Sequence, residues 1–159
     1  MEILYKRNTD LTDGELDALF ALHYSTIDEY SKKNRKIVAS TYKEKWTKYI
    51  KENNKLVCTI AVSNGYLIGF LLLSLEENEN YISDFYIANE YQNDGNTFKF
   101  LVENAFKIAK PNKMFTGRIW MENTNAKNTF LNMGAILKNG IYSAPYEKIK
   151  EWIEKNKNN

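Results

Sequence analysis

The stretch IANEYQNDGNTFKFL, residues 87–101, joins a strand-like run to a helix through a turn that could bind an anion. The first backbone amides of a helix lack intrahelical partners and lie at the positive end of the helix dipole, so they attract phosphate groups. Gly95 lets the backbone approach such a group without a Cβ clash, and Asn96 and Thr97 offer side-chain donors. An ordinary turn capped by Asp94 or Asn96 would use the same residues. The turn is therefore a candidate anion site with a structural alternative.

Other common chemistries find little support in the sequence. Gly95 is the only glycine of the turn, and no Gly-Lys-Ser or Gly-Lys-Thr follows it, which excludes a P-loop and a dinucleotide fingerprint. His23 and Cys58 are the only histidine and cysteine, so we predict no metal site. Cys58 is expected to be a small buried apolar residue, and His23 to lie in the core or at a cleft rim.

Charge and hydropathy exclude several classes of partner. The 22 basic and 20 acidic residues give a net charge of +2, without the clustered basic face that nucleic acid requires. The N-terminus lacks the apolar core of a signal peptide, and the longest apolar run, residues 66–73, is too short to span a bilayer. We therefore expect a cytoplasmic protein with neither nucleic acid nor membrane as a partner.

The first half of the chain predicts a strand, two helices and a hairpin. Residues 2–7 favour a strand, and the capping box TDGE, residues 12–15, begins a helix. A second helix is predicted over residues 41–52, where apolar side chains recur at helical spacing. Two strands then flank Asn64-Gly65, a pair typical of a two-residue hairpin turn, after which residues 77–80 read as a second polar turn.

The second half alternates strands and helices. Residues 81–88 favour a strand, followed by a helix that Pro111 stops; residues 113–120 favour another strand, followed by a helix that ends at Gly134. More strand follows, and residues 146–153 return to helical spacing. Because crossover helices usually join parallel strands, we predict an α/β (α+β) domain. Its mixed, mostly antiparallel sheet has about six to seven strands flanked by helices, with an additional C-terminal helix.

Two segments match the pattern of a known family. Residues 87–97 resemble the acyl-CoA loop of the Gcn5-related N-acetyltransferases, V-x-P-x-[YH]-[RQ]-x-x-G-x-[GA], although Asn89 replaces the proline and Thr97 the last small residue. The matching residues are Ile87, Tyr91, Gln92 and Gly95. Residues 123–135 look like the family segment N-x-x-A-x-x-x-[YF]-x-x-x-G-[FA]. Here the matching residues are Asn123, Ala126, Phe130, Gly134 and Ala135. Both occur in the expected order, so the resemblance covers nearly the whole chain and implies one acetyltransferase-like domain, residues 1–159.

The resemblance implies acetyl-CoA as cosubstrate and no metal. In such enzymes the strand before the loop separates from the next strand, and the pantetheine arm hydrogen-bonds in the gap like an added strand. The pyrophosphate would lie on the amides of residues 92–97, with Gln92 as a side-chain donor, and amides near Ile87 would polarise the thioester carbonyl. The implied cofactor-binding residues are Phe85, Tyr86, Ile87, Gln92, Asn93, Asp94, Gly95, Asn96, Thr97, Asn123 and Phe130.

Catalysis would require a base, because a protonated amine cannot attack. Asp84 is the candidate, and Ser83 is a candidate for ordering a water; strand alternation puts Asp84 on the face opposite Ser83 and Phe85. A structural aspartate near the sheet edge is the alternative. Phe130 stands where the family often has a tyrosine that protonates the leaving thiolate, so another hydroxyl, such as Thr129 or a tyrosine, or water would have to act.

Three functions are compatible with the resemblance. The first is acetyl transfer to a primary amine of a small molecule, by direct attack in a ternary complex. The second is the same chemistry on a protein N-terminus or lysine, and the third is non-catalytic acyl-CoA binding. In the polar segment 24–35, Tyr24, Asp28, Glu29 and Tyr30 could receive a cationic amine or form an ordinary solvated face. The apolar stripe of residues 146–153 is either core packing or a dimer contact, and Trp152, if it is exposed, could pair two chains as a homodimer.

Overall fold

A seven-stranded mixed sheet lies at the centre of the protein. The computed structural model describes residues 2–25, 32, 38–92, 95–118 and 124–157. In chain order the main elements are β1 (Glu2–Arg7), α1 (Asp13–Ser25), α2 (Ala39–Glu52), β2 (Leu56–Ser63), β3 (Tyr66–Leu75), β4 (Glu79–Ile87), α3 (Asn96–Ile108), β5 (Met114–Arg118), α4 (Thr124–Asn132), β6 (Ile136–Lys138), β7 (Ile141–Ala144) and α5 (Tyr146–Asn156). The strand order is β1-β2-β3-β4-β5-β7-β6, and only the β4–β5 pair is parallel. The predicted fold class is confirmed.

Local signals position the first elements as predicted. Thr12 and Glu15 exchange hydrogen bonds at the start of α1, with each backbone N–H donating to the other side chain over 3.0 and 3.1 Å. At the β2–β3 hairpin, Asn64 and Gly65 have φ angles of 52° and 80°, which a type I′ turn requires. The hairpin between β6 and β7 turns through Asn139 and Gly140 in the same conformation. We did not predict this second hairpin separately.

Helices cover both faces of the sheet, because side chains alternate along the central strands. Phe70 and Leu72 of β3 are buried against α1 and α2, whereas Leu71 and Leu73 are buried in the second core with α3, α4 and α5. In the C-terminal helix, Trp152 is partly buried and its ring meets Phe98 edge-on, with 5.7 Å between the ring centroids. Trp152 therefore contacts the core, which is one of the two roles predicted for the stripe of residues 146–153. Among the described residues, no helix is both long and apolar enough to cross a membrane.

Asn80 lies in a strand, at a position where the sequence predicts a turn. Residues 77–80 were predicted as a turn, yet β4 already begins at Glu79 and Asn80 is completely buried. Its side chain accepts a hydrogen bond from Lys110 N over 2.8 Å and donates to the carbonyl oxygens of Lys110 and Lys113. Asn80 thus fixes the connection between α3 and β5 against the start of β4.

Candidate active site

The sheet opens between its two parallel strands. Among the described residues, which stop at Arg118 on the β5 side, β4 and β5 pair from Glu79 with Met114 to Ile82 with Gly117, although β4 continues to Ile87. Arg118, the last described residue of β5, pairs with Ile141 of β7 on the other side, and a cavity of about 490 Å³ lies beside β4 at this point. Residues of both helical layers line it, so the cavity connects the two faces of the sheet.

A β-bulge lies at the edge of this opening. In the β3–β4 pairing, Leu72 lies opposite Asp84 whereas Leu73 lies opposite Ile82, so Ser83 is an extra residue in β4. A bulge of this kind interrupts the strict alternation of side chains. Our prediction that Ser83 and Asp84 lie on opposite faces was therefore wrong.

Both residues of the bulge contact α2. A hydrogen bond of 2.9 Å joins Ser83 Oγ to the Tyr49 hydroxyl, and Trp46 Nε1 donates to Asp84 Oδ2 over 3.3 Å. The backbone N–H of Phe85 donates to Asp84 Oδ1 over 3.0 Å. Each oxygen of the Asp84 carboxylate thus has a partner within the protein.

Asp84 also contacts the only histidine of the chain. Asp84 Oδ2 lies 3.0 Å from His23 Nδ1, and both side chains are largely buried, with 13% and 12% of their surface exposed. On the other side of the imidazole, a hydrogen bond of 2.6 Å joins His23 Nε2 to the Tyr42 hydroxyl. We call Asp84, His23 and Tyr42 the relay.

Aromatic rings hold His23 in place. Its ring stacks against Tyr42 and Trp46, with interplanar angles of 14° and 15°, and the ring of Tyr86 meets it edge-on. Burial, and next the charge of Asp84, raise the pKa of Tyr42, so its hydroxyl keeps its proton at neutral pH. An imidazole that lies beside a carboxylate and shares a hydrogen bond with a hydroxyl resembles the arrangement that general-base catalysis uses.

Sequence reasoning assigned His23 to the core or a cleft rim. A signal was present, because His23 belongs to the inward stripe of a predicted helix and Tyr42 and Trp46 lie four residues apart on the next one. What the sequence could not supply is the packing of α1 and α2 over the bulge in β4. Cys58 is buried as expected, and burial raises the pKa of its thiol.

The predicted anion site lies where β4 leads into α3. Gly95 has a φ of 74° and directly precedes Asn96, the first residue of α3. Gln92 Nε2 donates to Ile87 O and to Asn89 Oδ1, over 2.8 and 3.1 Å, so the Gln92 side chain stabilises the loop instead of extending outward as a donor. Asn93, Asp94 and Asn123 lie outside the described residues.

Thr97 is fully buried in the first turn of α3. Thr97 is larger than the glycine or alanine of the family pattern, and it fits because it packs beside Gly69, which has no side chain. A Cβ on Gly69 would lie 3.3 Å from Thr97 Cγ2 and only 2.9 Å from the Tyr86 carbonyl oxygen. Within the described parts of the chain, the Thr97 hydroxyl has no hydrogen-bond partner. An enclosed hydroxyl without a described partner therefore lies at the start of the helix.

The open edge of β4 presents further cofactor candidates. Ala88 N donates to Ile68 O of β3 over 2.8 Å, so alternation turns the N–H of Ile87 toward the gap. Tyr86 packs on the α1 side of the sheet, against Phe70 and His23. Phe85 lies on the other side, where its ring meets those of two phenylalanines edge-on.

Phe130 is buried on the α3 side of the cavity. Its ring centroid lies 6.1 Å from that of Phe85, 5.9 Å from that of Phe98 and 5.8 Å from that of Tyr142. Tyr142 also lines the cavity, and burial raises its pKa. The sequence did not single out Tyr142, because nothing local distinguishes it from the ten other tyrosines.

In the described part of the chain, no group of three or more His, Cys, Asp or Glu residues could hold a metal ion.

Solved structures resemble the fold closely although their sequences differ. The PaiA N-acetyltransferase of Thermoplasma acidophilum, in complex with coenzyme A, is 19% identical, with a TM-score of 0.66 over 90% of this chain and 97% of that one. A putative acetyltransferase of the GNAT family from Desulfovibrio desulfuricans is 10% identical, with a TM-score of 0.64 over 91% and 99%. The ribosomal-protein-S18-alanine N-acetyltransferase of Escherichia coli is 12% identical, with a TM-score of 0.61 over 91% and 94%.

No family model and no curated protein matches the sequence. Because the three solved structures are only 19%, 10% and 12% identical in sequence to this chain, their similarity shows the fold alone. The fold inferred from the two sequence segments is thereby confirmed.

Proposed function

We propose that this chain, which has the fold of the Gcn5-related N-acetyltransferases, transfers an acetyl group from acetyl-CoA to the primary amine of a small molecule. The observation that carries the proposal is the cavity between β4 and β5 at the point where their described pairing ends, at Ile82 and Gly117. This gap ends beside the N-terminus of α3, so one ligand could pair with a strand edge and place an anionic group at a helix start.

The contacts in the gap support a bound acyl-CoA. The pantetheine amides would pair with the open edge of β4, and the Ile87 N–H would polarise the thioester carbonyl as negative charge develops on its oxygen. The pyrophosphate would lie at the first turn of α3, where Gly95 keeps the backbone accessible and the Thr97 hydroxyl lacks a partner in the described chain. Gln92 would act by holding the loop in shape.

The relay would supply the base. The amine proton passes to the Tyr42 oxygen while the Tyr42 proton passes to His23 Nε2, and Asp84 faces the imidazolium that forms. Asp84 is then a positioning residue, because its carboxylate oxygens already have protein partners. Ser83, bonded to Tyr49, would help to shape the wall of the cavity.

The α2 side of the cavity favours a small organic amine. Aromatic faces attract ammonium groups, particularly where water is excluded. The aromatic residues that line this side are His23, Tyr42, Trp46, Tyr49, Tyr81 and Tyr86. Of the segment 24–35, the structure describes Tyr24, which stacks on Phe20 and carries Lys32 Nζ 4.3 Å from its ring centroid; Asp28, Glu29 and Tyr30 lie outside the described residues.

Calorimetry with acetyl-CoA, followed by a thiol-release screen, tests the proposal. We expect micromolar binding, and thiol release with at least one amine of a panel of aliphatic, aromatic and zwitterionic primary amines. If peptides but no small amines were acetylated, the substrate would be a protein amine and not a small molecule. Binding without release on amines or peptides would make the protein a non-catalytic acyl-CoA module, and no binding would overturn the proposal.

A further inference from the structure

One buried phenol on the cavity wall has no role in the function proposed above. Tyr142 of β7 pairs with Gly117 of β5, which in turn pairs with Ile82 at the last position before β4 and β5 separate. Tyr142 therefore lies beside the apex of the gap. Its side chain belongs to the core on the α3 side, and only 5% of the residue is exposed.

The hydroxyl of Tyr142 is available to a ligand. None of the described residues forms a hydrogen bond with it, although the hydroxyl of a largely buried tyrosine usually has a partner. Because burial raises the pKa of Tyr142, the group is a protonated donor throughout the neutral range. An occupant of the cavity is the natural acceptor.

Acetyl transfer creates the need for such a donor. When the tetrahedral adduct collapses, its C–S bond breaks and the sulfur takes the bonding pair. On the α3 side the wall around that sulfur is apolar, and an unpaired thiolate is poorly stabilised in such surroundings. The phenyl ring of Phe130, whose centroid is 5.8 Å from that of Tyr142, cannot donate a proton.

We propose that Tyr142 is the general acid of the reaction. Its hydroxyl hydrogen-bonds to the thioester sulfur and gives it a proton as the C–S bond breaks, while a proton delivered from solvent through water in the cleft returns to the phenol oxygen. The products are coenzyme A and neutral Tyr142. The proton taken from the amine leaves separately, through the relay. This inference rests on the acetyl transfer proposed above.

The Tyr142→Phe variant removes only the hydroxyl. Because that hydroxyl has no partner among the described residues, we expect an unchanged melting temperature, nearly unchanged binding of acetyl-CoA and a kcat lowered on the order of 10²-fold. Tyr146→Phe is the matched control, since Tyr146 packs in the same core and does not line the cavity. Wild-type kcat in Tyr142→Phe would overturn the proposal.

Rescue separates a chemical role from a structural one. Adding Phe130→Tyr to Tyr142→Phe returns a hydroxyl to the same wall, and we expect it to recover a large part of the lost kcat. A double variant that is no faster than Tyr142→Phe would contradict the assignment, provided that it binds acetyl-CoA as the single variant does.

A second readout requires no amine substrate. The thiol of bound coenzyme A is titrated by its ultraviolet thiolate absorbance, with the complex of desulfo-coenzyme A subtracted to remove the tyrosine signal. Donation from Tyr142 stabilises the thiolate, so we expect a higher thiol pKa in the Tyr142→Phe complex than in wild type. Equal values would overturn the assignment. Failure of wild type to bind coenzyme A would instead refute the proposed function itself.

Discussion

His23 Nδ1 lies 3.0 Å from Asp84 Oδ2, which links helix α1 to the bulge in strand β4. The two residues are distant in sequence, and the contact exists only because α1 packs across the sheet at the point where β4 gains one residue. This contact changes the interpretation of Asp84. A carboxylate that contacts an imidazole, an indole N–H and a backbone N–H orients its neighbours instead of receiving the substrate proton directly.

The first prediction concerns Asp84→Asn. Because the amide cannot stabilise an imidazolium or fix its tautomer, we expect kcat at neutral pH to fall by about 10²- to 10⁴-fold. The Kd for acetyl-CoA should change less than about threefold, since no proposed cofactor contact uses the carboxylate. Steady-state rates and calorimetry measure the two effects. An unchanged rate would remove Asp84 from the mechanism.

The second prediction distinguishes the members of the relay. Tyr42→Phe leaves His23 and Asp84 in contact but removes the hydroxyl bonded to Nε2, so we expect at least a tenfold loss of kcat. His23→Gln should lose at least as much, because the amide of glutamine cannot accept the proton that Tyr42 passes on.

Trp46→Phe is the control for these variants. It retains a ring beside His23 and removes one neutral donor to Asp84, so its effect on kcat should be the smallest of the set. If Tyr42→Phe were as active as wild type, the amine proton would not pass through Tyr42, and the proposed relay would be wrong.

The third prediction tests the anion site at Gly95. Asn is tolerated at positive φ, and a Cβ at this position would meet no atom of the described residues within 4 Å, so Gly95→Asn and Gly95→Asp should both fold. The two side chains have nearly the same shape and differ in charge. We expect Gly95→Asp to bind acetyl-CoA at least about tenfold more weakly than Gly95→Asn at low salt, with a smaller difference at high salt. Equal affinities at all salt concentrations would place the pyrophosphate elsewhere.

The sequence predicts what depends on local pattern. Asn64-Gly65, the capping box and the helical stripes specify elements, and the two family-like segments lead to the gap beside Ile87 and to the core position of Phe130. It does not predict the bulge at Ser83, because an extra strand residue is visible only against its partner strand. His23 and Tyr142 were missed for the same reason, since their significance comes from the residues that the folded sheet places beside them.

The fourth prediction concerns the packing of α3 on the sheet. In Gly69→Ala the added Cβ would lie 2.9 Å from a backbone oxygen, that of Tyr86, which cannot move without shifting β4. We expect a loss of about 1–3 kcal/mol in the free energy of unfolding, measured by urea denaturation. Gly117→Ala is the control, because its Cβ would make only ordinary contacts, at 3.4 Å from Ile82. Equal stability of Gly69→Ala and Gly117→Ala would contradict the close packing at Gly69.

The fifth prediction concerns pH and the capping box at Glu15. Burial alone would raise the pKa of Glu15, but hydrogen bonds from Lys6 and Thr12 outweigh it and hold the pKa below its usual value. A carboxyl with a lowered folded-state pKa adds stability above its unfolded pKa of about 4.3, and this contribution disappears as the pH falls through the folded value. Glu15→Gln keeps the shape of the cap without its charge. We therefore expect the variant to be about 0.5–1 kcal/mol less stable at pH 7 and equal to wild type once the carboxyl is protonated. Urea denaturation across that range gives the measurement, and a difference that does not vary with pH would show that shape, not charge, makes the cap.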